Sequence, residues 1–324
     1  MSGLFLDVAF WACAASAVLH VLASAGRRRL LGAMGLLALI VGAAAGAAFL
    51  GREWADIHRP PLAGRAGLAV AFSFALAVFH LLFLRRGPVV PLLAAAGMGL
   101  AVLFAAPAEP PPPLLGSARW MGVHVGLCLL GHAGFAVAFA AALGRLVRAG
   151  GTHAVCAAAT GTLAATLLVA VGAALLATRS GAAVLPPASS LPGMVAGSAF
   201  ALAGLLVWPV RWGVSRRVAF EGEDAGMDRA VDRSMLGGVL ALGLGILAGA
   251  LWAHETWGSF WRWDPKEIWA AFTWLLAVFY LHARFARGWS GPRAAWIAVA
   301  TFGMATFTFL GAGSLRGGMH RFLE

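Results

Sequence analysis

The stretch "WAHETWGSFWRWDPKEIWAAFTWLLAVFYLHAR", residues 252–284, holds two different kinds of chain in succession. Its first part is polar and crowded with indoles: Trp252, Trp257, Trp261 and Trp263. Its second part is an apolar run with a fifth, Trp269, near its start. Between them stands Asp264-Pro265-Lys266-Glu267. Asp accepts well from the free N–H groups of a first helical turn, Pro tolerates N1, and Glu at N3 closes a capping box. The spacing therefore predicts a helix that opens at Pro265. Residues 267–285 are long and apolar enough to cross a hydrocarbon layer of ~30 Å.

The rest of the chain agrees with a membrane setting. Of 324 residues, 61% are hydrophobic and 11% charged, against roughly 25% charged in soluble domains. Ten apolar segments can be marked, at 5–25, 31–50, 66–84, 89–106, 120–144, 153–178, 193–210, 235–253, 267–285 and 294–313. Each odd segment ends in arginines: Arg27–Arg29, Arg85 and Arg86, Arg145 and Arg148, Arg211 with Arg216 and Arg217, and Arg284 with Arg287 and Arg293. Basic clusters mark cytoplasmic loops, so both termini are expected outside. Arg52, Arg119 and Arg262 fall on the other side. The expected fold is an all-α polytopic integral membrane helical bundle of about 10 transmembrane helices, a single membrane domain over 1–324 without repeats. The inner stretch from Arg211 to Ser234 has ordinary soluble composition and reads as a short amphipathic helix on the membrane surface.

Composition also excludes functions. The net charge of +11 belongs to the cytoplasmic loops and needs no nucleic acid. Cys13, Cys128 and Cys156 lie in apolar runs without a C-x-x-C pair, which argues against dithiol exchange. C-x-x-C-H is absent, so the chain is not itself a c-type cytochrome. Without a basic segment before its first apolar run, the N-terminus reads as a retained span.

Tryptophan gathers at membrane interfaces, where its ring is buried and its N–H stays wet. An ordinary aromatic belt spreads one or two indoles over each helix end. Five in one short outer segment instead form a shelf suited to a large, flat, apolar ligand.

"WGSFWRWDPKEIWAAFTWLLAVFYLHAR" closely resembles the tryptophan-rich WWD signature of haem-handling proteins, in the form found in the CcsA (ResC) family of the system II cytochrome c synthase. "WMGVHVGLCLLGHAGFAVAFAAAL" and "FLGAGSLRGGMHRF" resemble that family's outer-histidine span and terminal segment. "RPPLAGRAGLAVAFSFALAVFHLLF" is a weaker match, and 151–234 and the first fifty residues align poorly. The family core has eight spans, so the sixth and seventh here read as an extra hairpin.

The resemblance implies a function and a site. With the partner subunit CcsB, the chain would carry haem across the membrane and present it at an outer WWD segment, 252–269. There thioethers form with the C-x-x-C-H of an apocytochrome c. It implies haem b as substrate and ligand, and a component of a haem lyase rather than an enzyme on its own. His124 and His320 match the two external axial ligands beside the shelf; Trp257, Trp261, Trp263, Asp264 and Trp269 match the shelf. His282 matches an intramembrane histidine that receives haem, opposed by a ligand from CcsB. From the residues alone, an outer-face histidine is more often an ordinary interfacial one. His80 and His132 line the route or simply pack between helices, His254 neighbours the shelf, and His20, His58 and His153 have no assigned role. Arg262, Lys266, Arg119 and Arg316 are candidate partners for the haem propionates. A bacterial cell membrane is the expected location, a thylakoid membrane the alternative. Two other classes stay open: a haem carrier of the CcmC type without ligation activity, and an electron-transfer cytochrome b.

Overall fold

The computed structural model describes residues 2–26, 29–57, 65–84, 90, 91, 93–95, 98, 99, 118–149 and 224–311. They form seven α-helices and no strand: α1 (Ser2–Gly26), α2 (Arg29–Ile57), α3 (Arg65–Phe79), α4 (Ala118–Arg148), α5 (Asp224–Trp257), α6 (Pro265–Phe285) and α7 (Pro292–Thr306). π turns extend α3 over His80–Leu84 and α7 over Phe307–Gly311. Six helices are long and apolar enough to cross a membrane, within α1 to α6. They answer to the first, second, third, fifth, eighth and ninth expected spans. The sixth and seventh expected spans and most of the fourth lie outside the described residues.

The chain folds as two compact units. The first holds α1, α2 and α3. Here α1 and α2 run antiparallel, with Cys13 against Gly42 and His20 against Gly35, and Gly46 of α2 lies against Val70 of α3.

The second unit holds α4, α5 from Val231 onward, α6 and α7. On α4 and α5, His124 meets Gly249, Cys128 meets Gly245, Gly131 meets Leu242 and Gly134 meets Gly238. The register is antiparallel throughout, and small residues set the close approach. α6 runs back along α5: the Trp274 indole donates to the Val239 carbonyl at 3.1 Å, and Tyr280 donates to Asp232 at 2.8 Å. α7 then runs against α6, through the Thr273–Thr308 hydroxyl pair at 2.9 Å, and against α4, through Phe139–Phe302 and His132–Phe309. The result is an up-down-up-down four-helix bundle.

Lipid explains the outward faces. Leu236, Leu240, Leu244, Leu247 and Leu251 recur every three or four residues on α5 and all are exposed. Val239 and Leu242, between them, are buried. A ridge of bare leucine is costly in water and natural against hydrocarbon. The chain is an all-α polytopic membrane protein.

One expectation is corrected here. Residues 224–234 of the stretch read as a surface helix are instead the first turns of α5, and 211–223 lie outside the described residues. Asp232 is what allows this, because Arg284 Nε lies 2.9 and 3.0 Å from its two oxygens and Tyr280 donates a third hydrogen bond. A charge paired in this way can enter the bundle.

Candidate functional site

The predicted start of α6 is present in full. Asp264 is the N-cap, its Oδ1 accepting from the Lys266 backbone N–H at 2.9 Å, and Pro265 opens the helix. Glu267 Oε2 accepts from the backbone N–H of Asp264 at 3.2 Å and of Arg262 at 2.9 Å. The one carboxylate thus ties the Trp-rich segment down onto the helix. Asp264 is buried in the process. Replacing Asp264 with Ala removes the cap, and thermal unfolding should show a loss of ~1 kcal/mol with unchanged bundle helicity.

Four of the five indoles sit in two pairs, and Trp269 packs separately. Trp257 is the last residue of α5, not a loop residue, and packs edge-on against buried Trp252 at 4.8 Å. Trp261 and Trp263 meet edge-on at 6.1 Å, while Trp269 packs on Phe307 at 4.8 Å. His254 stacks on Phe260 at 4.2 Å and 16°, so that imidazole belongs to the segment's own packing.

Trp263 stands apart. It is 75% exposed and has φ 59°, a left-handed conformation that a bulky side chain adopts at a cost of order 1 kcal/mol. The fold holds an apolar ring out and strains the backbone to do so. Replacing Trp263 with Gly should leave thermal stability equal or higher by about 1 kcal/mol while lowering the protein's capacity for a flat ligand, read by titration.

His124 lies two turns into α4, at the same end of the bundle as this segment. Its Nδ1 is 2.8 Å from the Gly245 carbonyl oxygen. A carbonyl only accepts, so Nδ1 carries the proton and Nε2 keeps the lone pair. Metal-binding histidines are oriented in this way. Gly249 makes the position possible, because a Cβ there would stand 2.5 Å from Nδ1. The Cys128 sulfur is 3.7 Å from the same nitrogen. Lys266, on the first turn of α6, stands near enough for its charge to act on Cys128, His124 and His132. Arg262 is exposed. His132 is buried, with Nδ1 2.7 Å from the Cys128 carbonyl and its ring against Phe309 at 5.6 Å.

His282 is at the opposite end, 17 residues along α6 from Pro265, about 25 Å at 1.5 Å per residue. It is exposed and lines a recess of about 260 Å³ with Phe279, Ala283, Arg287 and Trp289. Arg284 Nη1 holds the Trp289 carbonyl at 3.1 Å, which shapes the recess through the pair with Asp232. Arg145, Arg233, Arg284, Arg287 and Arg293 all belong to this end. His320, Arg316 and the side chain of Arg119 lie outside the described residues.

The structure thus brings His124, Lys266, Asp264 and the indoles to one end of a bundle and places His282 at the other. Gly245 and Gly249 were missed from sequence; their spacing of four along α5 was the available signal.

A helical membrane protein with an indole-rich, histidine-bearing end defines the class. The chain belongs to the cytochrome c assembly protein family, whose model matches residues 1–320. It is similar to the cytochrome c biogenesis protein CcsA of Synechococcus elongatus, 52% identical over 81 residues, 25% of each chain. A second CcsA, from Synechococcus sp. strain RCC307, is 44% identical over 96 residues, 30% of this chain and 31% of that one. A third, from Prochlorococcus marinus strain MIT 9303, is 45% identical over 96 residues, 30% of each chain. The matched stretch therefore spans a quarter to less than a third of those relatives.

Proposed function

We propose that this chain acts in cytochrome c biogenesis as the haem-handling subunit of a membrane synthase. Haem b is its substrate, received at His282 on the arginine-rich cytoplasmic side and presented at 252–269 on the outer side. The observation that carries this reading is the His124 tautomer, with Nδ1–H spent on Gly245 and Nε2 left as an iron donor at the indole-bearing end. Haem iron takes neutral imidazole as an axial ligand.

The second outer ligand is His320. Phe307 of the α7 π turn packs on Trp269, so the chain leaves Gly311 at the same end as His124. His320 follows nine residues later, a reach of up to about 30 Å. Trp257, Trp261, Trp263 and Trp269 supply the flat apolar contact, and Lys266 a cation for a propionate. Two imidazoles on one iron exclude dioxygen and leave a vinyl edge for the C-x-x-C-H thiols of an apocytochrome c. The chemistry of addition then belongs to thiol and vinyl, while this chain orients them. CcsB supplies the ligand opposite His282 and completes the lyase. The bacterial cell membrane is the setting, with the thylakoid as the alternative.

Reconstitution in vesicles with CcsB, haem and a C-x-x-C-H reporter tests the reading. Covalent haem on the reporter supports it. Haem export without thioether formation would make the chain a carrier, and neither outcome would leave cytochrome c assembly to another subunit.

A further inference from the structure

The recess at the inner end of α6 has one arginine that is spent beside it and one that is not. Arg284 is committed on both sides. Its Nε lies 2.9 and 3.0 Å from the Asp232 carboxylate oxygens, and its Nη1 donates to the Trp289 carbonyl at 3.1 Å. Tyr280 donates to the same carboxylate at 2.8 Å, so the pair is held by α5 and α6 together. Arg287 lines the recess, is exposed, and its guanidinium meets no carboxylate or carbonyl among the described residues.

The turn that carries Arg287 is fixed by its backbone. The His282 carbonyl accepts from the N–H of Ala286 at 2.9 Å and of Arg287 at 3.3 Å. The Trp289 N–H donates to the Ala283 carbonyl at 2.9 Å. Between them Gly288, with φ 65°, is the left-handed residue that folds the chain back over the helix end. The Trp289 ring then stands edge-on to Phe279 at 6.3 Å and 83°. Imidazole, indole and guanidinium thus line one hollow, and the Asp232–Arg284 pair holds its wall in place.

Size and charge select what fits. At about 260 Å³ the hollow is smaller than the ~300 Å³ or more of a pocket that encloses a small ligand. A macrocycle can only lie across it. Asp232 neutralises Arg284, which leaves Arg287 as the uncompensated cation among the described lining residues. A guanidinium presents a planar fork that matches a carboxylate with two parallel hydrogen bonds. The edge that suits this side of the hollow is therefore one that carries a carboxylate.

We propose that Arg287 binds a haem propionate at the inner recess and so fixes which edge of the porphyrin faces the turn when His282 meets the iron. The indole of Trp289 is the flat wall, positioned by Asp232 through Arg284. This rests on the reading of the chain as a haem-handling protein.

The test uses the full chain with its partner subunit, purified in detergent, with His124 and His320 changed to Ala so that absorbance titration reports the inner site. Haem is compared with its dimethyl ester, whose propionates carry no charge. Haem should bind this parent about tenfold or more tighter than the ester, the order that one hydrogen bond between charged groups carries. Arg287→Gln should abolish the preference by weakening haem alone, and Arg287→Lys should keep part of it. Asp232→Asn should weaken both porphyrins alike, because it loosens the wall without touching a propionate. A parent that does not distinguish the two porphyrins, or an Arg287→Gln variant that weakens both equally, overturns the proposal. Loss of the preference on adding phosphatidylglycerol would give the guanidinium to a lipid headgroup and overturn it as well. No haem in the parent, with the wild type still loaded, removes the inner site and this proposal with it. Wild-type protein that takes up no haem overturns the proposed haem-handling function itself.

Discussion

His124→Gly protein is expected to retain haem at its outer site at about one-tenth of the wild-type level or less, a loss of at least 1.4 kcal/mol. It should mature no cytochrome c. Imidazole added to the membranes should restore part of both, because glycine leaves a space of the ligand's own shape. The expectation follows from where the ring is anchored. Nδ1–H is committed to the Gly245 carbonyl, so Nε2 is the nitrogen left for iron. Loss of the donor also removes a second hydrogen bond from that carbonyl, which keeps its helical partner within α5, at a cost of about 0.5–1.5 kcal/mol. A thermal scan should register this separately from haem loss, and imidazole should restore the first less than the second.

Gly249→Leu should have nearly as large an effect while leaving every proposed ligand in place. A Cβ at 249 would stand 2.5 Å from His124 Nδ1 and 2.7 Å from Cε1. The ring must leave, and its bond to Gly245 breaks with it. Removing the partner that orients a metal-bound histidine typically lowers affinity 10- to 100-fold, and haem retention should fall by about that factor. Gly126→Ala is the control, two residues from His124 on the same helix, where an added Cβ meets nothing within 4 Å. Equal haem in both variants would show that the Gly245 bond does not set the ligand.

How much of this was readable in advance depended on how local the cause was. The start of α6 lies within four consecutive residues, Asp264 to Glu267, and its capping box was legible because every partner is a near neighbour. The beginning of α5 was not. Asp224 to Ser234 has the composition of a solvated loop, and the groups that admit Asp232 to the bundle, Tyr280 and Arg284, stand about fifty residues away. The same holds at the site. Arg262 and Lys266 were equal candidates as cations; helix phase turns Lys266 toward α4, while Arg262 stays outside. The assignment of His282 to the arginine-bearing end was legible from its distance along one span. The meeting of His20 with His80 was not, because sixty residues separate them and only the packing of α1, α2 and α3 closes the gap.

A density map of the haem-loaded chain with its partner subunit would test the central claim most directly. A macrocycle lying on Trp257, Trp261 and Trp263, its iron between His124 Nε2 and His320, is the predicted result. Density showing those two histidines at opposite ends of the bundle, or a porphyrin bound away from the indoles, would contradict it.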